Sequence, residues 1–194
     1  MLDIGVRFDT ELFTVRHLTD SVEDSALIEG FSVGNDAVGL EDYLKKYSLR
    51  FEKEGDNRTY LVVDAVTGEL ACYFALRSGL IPVPGIGGQG YLSTLSALEL
   101  AYFAVNERYR EKQTSSRKIG LYVFNTFILP IARRAAEIVG MRFLYIYALP
   151  QPRLISYYEN ELGFQRLPEK LAKFLYERVK PDSDGGCVFM FQQL

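Results

Sequence analysis

Five cationic side chains crowd into eleven residues near the middle of this 194-residue chain. The five are Arg108, Arg110, Lys112, Arg117 and Lys118, and only Glu107 and Glu111 offset their charge. A helical pattern begins directly afterwards, at Ile119, and the unpaired backbone N–H groups of a helix N-terminus attract anions. The stretch therefore predicts an anion site that would suit a pyrophosphate. A solvated charged loop is the alternative.

Other residue types that commonly carry chemistry are few. His17 is the single histidine and lies on an early predicted strand, so no Ser–His or Cys–His pair is expected near the basic stretch. Cys72 and Cys187 lie in apolar runs without metal-ligand or redox spacing, which predicts reduced thiols and no metal site.

Composition and charge limit the classes of protein to which this chain can belong. Hydrophobic residues make up 48% and charged residues 24% of the chain, which predicts one globular domain spanning 1–194. The formal net charge of −3 disfavours a general nucleic-acid binder, because phosphate neutralisation needs surplus Lys and Arg. No signal peptide or membrane-spanning run is recognisable, so the predicted location is cytoplasmic and no membrane partner is expected.

The predicted elements that must position these residues alternate between strand and helix, which indicates an α/β fold. The central part of the pattern comprises strands at 11–18, 58–65, 69–81 and 95–105, a basic loop at 106–118, a long helix at 119–140, a strand at 141–149 and a helix at 152–162. Pro130 should kink the long helix or divide it in two. The Gly- and Pro-rich segment 82–90 is predicted as a loop.

Two segments carry a family resemblance. FAVNERYR followed by RKIG resembles the strand and pyrophosphate loop of GNAT (GCN5-related) N-acetyltransferases, and FLYIYAL followed by ISYYENELGF resembles that family's next strand and Tyr-bearing helix. Phe31–Gly34, Leu40–Leu44 and Tyr73–Leu76 are similar to pieces of the bacterial toxin-like branch. The resemblance implies a GNAT-like fold with a central mixed, splayed β-sheet flanked by helices.

The resemblance also implies site residues. Tyr158 corresponds to the tyrosine that protonates the coenzyme A thiolate, although a core tyrosine is the alternative. Glu99 corresponds to a base for the amine, with a solvated strand edge as the alternative. The predicted acetyl-CoA contacts are the strand backbone at Phe103, Ala104 and Val105, then Arg110, Ser115, Ser116, Arg117, Lys118, Ile119 and Gly120.

One departure concerns the phosphate loop. Lys118 stands where the family usually has its first glycine, and the loop is longer by about four residues, Glu111–Thr114. Backbone amides can still bind phosphate without that glycine if the local dihedral angles allow it.

The function that the resemblance implies is direct transfer of an acetyl group from acetyl-CoA to an amine of a small molecule, peptide or protein, releasing coenzyme A. Two alternatives stay open: a toxin-like enzyme that acetylates aminoacyl-tRNA, which the acidic balance disfavours, and a non-catalytic acyl-CoA-binding or interaction module. A second copy of the chain is a further candidate partner, through the apolar terminal strand 186–194, although an interior position in the sheet is the alternative for this strand.

Overall fold

A computed structural model of the chain describes residues 8–34, 37–85, 92–112, 116–179 and 186–194, with only the backbone described at 8–9, 110–112 and 116–118. These residues form two compact units, each built from two segments of the chain. The first unit combines 1–77 with 101–127, and the second combines 78–100 with 128–194. The prediction of one acyltransferase domain over 1–194 stays a prediction.

The strands of the first unit are β1 (Phe8–Asp9), β2 (Phe13–His17), β3 (Arg58–Asp64), and parts of β4 (Leu70–Pro84) and β5 (Leu92–Val105). They lie in the order β1-β2-β3-β4-β5. Pairing is antiparallel between β2 and β3, which aligns Phe13 with Asp64, and between β3 and β4, which aligns Arg58 with Leu76.

The predicted β3–β4 hairpin is confirmed. Asp64 accepts the backbone N–H groups of Val66 and Thr67 at 2.8 and 2.9 Å, and Gly68 adopts a φ of 71° that favours glycine. Strand β4 continues to Pro84, beyond the predicted strand end. The predicted loop therefore begins later, and residues 86–91 lie outside the described residues.

Helices cover the first unit's core. They are α1 (Val22–Glu29), α2 (Val38–Asp42), α3 (Ser48–Glu54), α4 (Glu107–Lys112) and α5 (Ser116–Val123), with a π-helical segment at Tyr43–Tyr47 between α2 and α3. The buried Phe31, Tyr43, Leu61 and Tyr73 pack into one apolar cluster, and Ala104 of β5 joins it.

The basic loop predicted at 106–118 is wrong over its first half, because Glu107–Lys112 forms α4. Asn106 is 6% exposed, and its side chain accepts the Arg108 backbone N–H at 3.1 Å while donating to the Leu70 carbonyl at 2.9 Å. This bond caps the helix, and the Tyr109 hydroxyl donates to the Asp64 carboxylate. Tertiary contacts thus stabilise a helix where the charge pattern indicated a loop.

The second unit contains β6 (Phe143–Ala148), β7 (Gln165–Arg166) and β8 (Val188–Gln193), with α6 (Leu129–Val139), α7 (Pro152–Asn160) and α8 (Glu169–Tyr176). Its strand order is β4-β5-β6-β8-β7. Strand β6 is parallel to β5, with Ala97 aligned to Phe143 and Glu99 to Tyr145, and antiparallel to β8. The sheet is therefore mixed, as predicted.

The predicted interruption of the long helix at Pro130 is confirmed. The helix changes to a π-helical segment at Phe124–Ile128, and Pro130 is the second residue of α6. Widening of the turn relieves the clash between the proline ring and the carbonyl four residues earlier. Within the ranges that the structure describes, no helix combines the length and apolar character needed to cross a lipid bilayer.

Candidate active site

Glu99 is a buried carboxylate at the end of the parallel strand pair. Pairing of β5 with β6 runs from Ala97 to Glu99, and both strands continue beyond it. Glu99 is 5% exposed, which excludes the solvated strand edge considered for it. The Tyr145 hydroxyl donates a hydrogen bond to Glu99 Oε2 at 2.8 Å. A proton acceptor in an apolar strand is thus present at the predicted position.

Tyr158 lies on α7, which follows β6 in the chain and carries Pro152 at its first residue. Its half-buried ring packs edge-on against Phe164 at a centroid distance of 5.7 Å. Burial raises the pKa of Tyr158 to about 12, with a smaller contribution from Tyr157. The phenol therefore keeps its proton at neutral pH, as a hydroxyl that donates a proton must.

The turn after α7 orients this tyrosine. Gly163 adopts a φ of 75°, and the Phe164 backbone N–H bonds to the Tyr158 carbonyl at 3.0 Å. Tyr157 is half-buried as well, and the centroid of its ring lies 6.0 Å from that of the Tyr158 ring. Gly-Phe after the tyrosine pair was the sequence signal for this turn.

The predicted thioester strand belongs to the first unit. Phe103 and Val105 are half-buried, whereas Ala104 is 6% exposed and packs into the apolar cluster under α2 and α3. Alternate residues of β5 therefore face opposite sides of the sheet. The backbone of this segment, which the resemblance assigns to the acyl carbonyl, is extended throughout.

The predicted phosphate-binding residues fall on two helices of the first unit. Arg110 is on α4, and Ser116, Arg117 and Lys118 form the first turn of α5, followed by the buried Ile119 and Gly120. Ser115 and the side chains of 110–118 lie outside the described part of the chain. Helix α5 starts at Ser116, before the predicted start at Ile119, so its unpaired amides come from 116–119.

Neither Tyr145, which bonds to Glu99, nor Gly79, which lies against Tyr145, was predicted from the sequence. Tyr145 occurs in the run FLYIYA, where a tyrosine looks like ordinary strand packing, and Gly79 occurs inside a strand without a turn signal. An isolated glycine within a strand marks a close approach by another group, which was the available clue. His17, by contrast, contacts Glu52 at 2.9 Å in the first unit.

No model of a known protein family and no curated protein sequence matches this chain. Solved structures do. A Tyr-to-Phe mutant of the AtaT toxin has a TM-score of 0.65 at 16% identity, covering 98% of this chain and 94% of that one. A Tyr-to-Phe mutant of KacT has a TM-score of 0.63 at 18% identity, covering 94% and 95%. AtaT complexed with acetyl-methionyl-tRNAfMet has a TM-score of 0.61 at 18% identity, covering 93% and 94%.

At these identities the likeness concerns the fold, and it extends over nearly the whole length of both chains. The chain therefore has the fold of the AtaT and KacT structures, the GNAT-like fold that the sequence resemblance predicted.

Proposed function

We propose that this chain is an acetyl-CoA-dependent N-acetyltransferase that transfers the acetyl group directly to an amine. The observation that carries the proposal is the placement of Glu99 and Tyr158 within the GNAT fold. Glu99 ends the paired segment of β5 and β6, and Tyr158 lies on the helix that follows β6. One is a buried proton acceptor and the other a protonated phenol, which are the two groups that amide formation needs.

The residues present fit an acyl-CoA. The first turn of α5 offers backbone amides at Ser116–Ile119, and the interval 115–120 contains no proline that would remove a donor. We propose that these amides hold the pyrophosphate, with Arg110 and Lys118 adding positive charge. The backbone of Phe103–Val105 would hold the acyl carbonyl. Acetyl-CoA supplies the activated thioester.

The protein's own groups then handle two protons. Glu99 accepts a proton from the attacking ammonium group, directly or through water, so that the amine attacks as a neutral nucleophile. Tyr158 donates its phenolic proton to the departing sulfur of coenzyme A as the C–N bond forms and the C–S bond breaks, and the second proton that the nitrogen loses returns to the phenolate through solvent. Proton transfer by a positioned side chain typically contributes about a hundredfold to ten-thousandfold in rate.

Aminoacyl-tRNA is a second candidate acceptor. AtaT, which shares this fold, has been solved in complex with acetyl-methionyl-tRNAfMet, and it has also been solved bound to the antitoxin AtaR. The net charge of −3 weighs against extensive RNA contact by this chain. We therefore propose an amine acceptor of a small molecule, peptide or protein first and aminoacyl-tRNA second.

Two measurements test the proposal. Acetyl-CoA and coenzyme A should each raise the midpoint of thermal unfolding, because a ligand that binds the folded state stabilises it. Release of free thiol from acetyl-CoA should then depend on an added amine, tested with spermidine, a lysine-containing peptide and methionyl-tRNA. Binding without amine-dependent thiol release would favour a non-catalytic acyl-CoA-binding module. Absence of binding would refute the proposal.

A further inference from the structure

The carboxylate of Glu99 accepts a hydrogen bond from a tyrosine on a neighbouring strand of the second unit, and this tyrosine lies against a glycine on a third strand. Tyr145 on β6 aligns with Glu99 in the parallel register and donates the hydrogen bond to its Oε2. Gly79 on β4 lies against the same tyrosine hydroxyl. Glu99, the tyrosine that bonds to it and the glycine that lies against this tyrosine thus come from three different strands.

Packing fixes the Tyr145 ring. The residue is 6% exposed, and its ring stacks on Phe189 of β8 at 5.3 Å and meets Tyr147 edge-on at 5.8 Å. It belongs to the same apolar cluster as Ala97 and Ile81. A ring confined on these sides has little rotamer freedom, so its hydroxyl is directed at Glu99 without further loss of conformational entropy.

Gly79 provides the space that the ring occupies. A Cβ atom at this position would lie 2.2 Å from the Tyr145 Oη and within 2.9 Å of two ring carbons. Gly79 is not among the glycines with positive φ, so its backbone conformation is open to any residue. The absence of a side chain at position 79 therefore serves Tyr145.

We propose that Tyr145 is a positioning residue for Glu99, and that Gly79 is required because it admits the Tyr145 ring. This inference rests on the proposed acetyltransferase function. Burying a carboxylate is costly, and apolar residues of similar volume usually stabilise a core equally well or better. Glu99 lies where the pairing of β5 with β6 ends, and residues of two further strands fix the group that orients its carboxylate. This arrangement is consistent with a base positioned to accept a proton from an amine.

A double-mutant cycle on the full chain tests the proposal. Tyr145→Phe keeps the ring and removes the hydroxyl. It should lower kcat about tenfold to a hundredfold, the range for a hydrogen bond to a charged group, while the Kd for acetyl-CoA stays unchanged. In a Glu99→Gln background, Tyr145→Phe should change kcat by less than about twofold, because the positioned group is already lost.

Gly79→Ala should reduce kcat to a similar degree, whereas Gly39→Ala should not, since a Cβ at Gly39 meets nothing within 4 Å. Thermal unfolding shows whether Tyr145→Phe is folded. If Gly79→Ala does not fold, the kcat of Tyr145→Phe alone tests the inference. Wild-type kcat in Tyr145→Phe, or full additivity in the cycle, would overturn the inference while leaving the acetyltransferase proposal intact. Failure of the wild type to transfer acetyl to any amine overturns the proposed function first and this inference with it.

Discussion

At the scale of single residues, Tyr158 is the sharpest test of the chemistry. Tyr158→Phe should lower kcat by about a hundredfold to ten-thousandfold and leave the Kd for acetyl-CoA nearly unchanged, because the hydroxyl acts only as charge develops on the sulfur. Steady-state kinetics and calorimetric titration separate the two quantities. Tyr157→Phe is the matched control. Full activity in both variants would mean that Tyr157 and Tyr158 only pack within the protein and take no part in catalysis.

The pKa of Tyr158 adds a pH expectation. Because that pKa is raised to about 12, the phenol stays protonated across the range in which the protein can be assayed. Its ionisation would remove activity only as the pH rises through that value. Tyr158 should therefore impose no alkaline loss of kcat between pH 7 and about pH 10, the ordinary tyrosine pKa. A fall in kcat in that range that Tyr158→Phe abolishes would contradict the raised pKa while supporting a catalytic role for the hydroxyl.

Tyr109 and Asp64 form a buried hydrogen-bonded pair in the first unit. The contribution of this pair to the free energy of unfolding can be measured. Burial alone would raise the pKa of Asp64, but the Tyr109 hydroxyl and the N–H groups of Thr67 and Val66 outweigh it and lower the pKa below 3.8. The resulting stabilisation is present above pH 3.8 and is lost as the pH falls through the native pKa.

Tyr109→Phe should therefore lower the free energy of unfolding by about 1.5–3 kcal/mol at pH 7, the worth of a hydrogen bond to a charged group. The difference from wild type should shrink as the pH falls below 3.8 and through the native pKa of Asp64, because the carboxylate then becomes protonated in the wild type as well. Urea unfolding at pH 7 and at a series of acidic pH values measures it. Tyr122→Phe is the control, since Tyr122 packs on the same Phe13 ring. Equal effects of the two variants would contradict a role for the Asp64 bond.

At the scale of elements, Asn106 stabilises the helix α4 that follows β5. Asn106→Ala removes both the cap of α4 and the bond to the Leu70 carbonyl. It should cost about 1–3 kcal/mol in the free energy of unfolding. Asn106→Ser, which retains a capping oxygen but not the second bond, should cost less. Thermal and urea unfolding compare the variants, and equal losses would mean that capping does not stabilise α4.

The long interrupted helix shows what an element-level prediction can contain. Pro130 predicted an interruption of the long helix, and the helix is interrupted. Its form, a π-helical segment at Phe124–Ile128, was not predictable, because the backbone can absorb a proline by kinking, ending or widening the helix. Packing of the buried Phe124, Phe127 and Ile128 accompanies the form found here.

At the scale of the whole molecule, the net charge is negative. The cations clustered at 108–118 are therefore the expected contact for an anionic cofactor. Replacing Arg110 and Lys118 by Ala should weaken acetyl-CoA binding by up to about tenfold at low salt, and the loss should shrink at high salt. Calorimetric titration at two salt concentrations measures this. Replacing the exposed Arg133 and Lys173 of the second unit removes the same charge as a control. Equal losses from both pairs would assign the effect to net charge.

The sequence by itself determined the order and nature of most elements, and with them the fold class. Alternation of apolar residues along β3 to β6, the turn at Gly68 and the Gly-Phe after α7 are local patterns, because period and turn chemistry depend on near neighbours. Tyr158 and Glu99 became candidates through the family resemblance of the segments that contain them. Each lies in a short recognisable segment.

Only the tertiary structure decided what surrounds those candidates. The grouping of Gly79, Glu99 and Tyr145 depends on the register between strands that are far apart in the chain, and a shift of one residue would turn each side chain to the other face. Helix α4 likewise depends on bonds from Asn106 to Leu70 and from Tyr109 to Asp64. Such contacts join distant segments, so local periodicity cannot encode them.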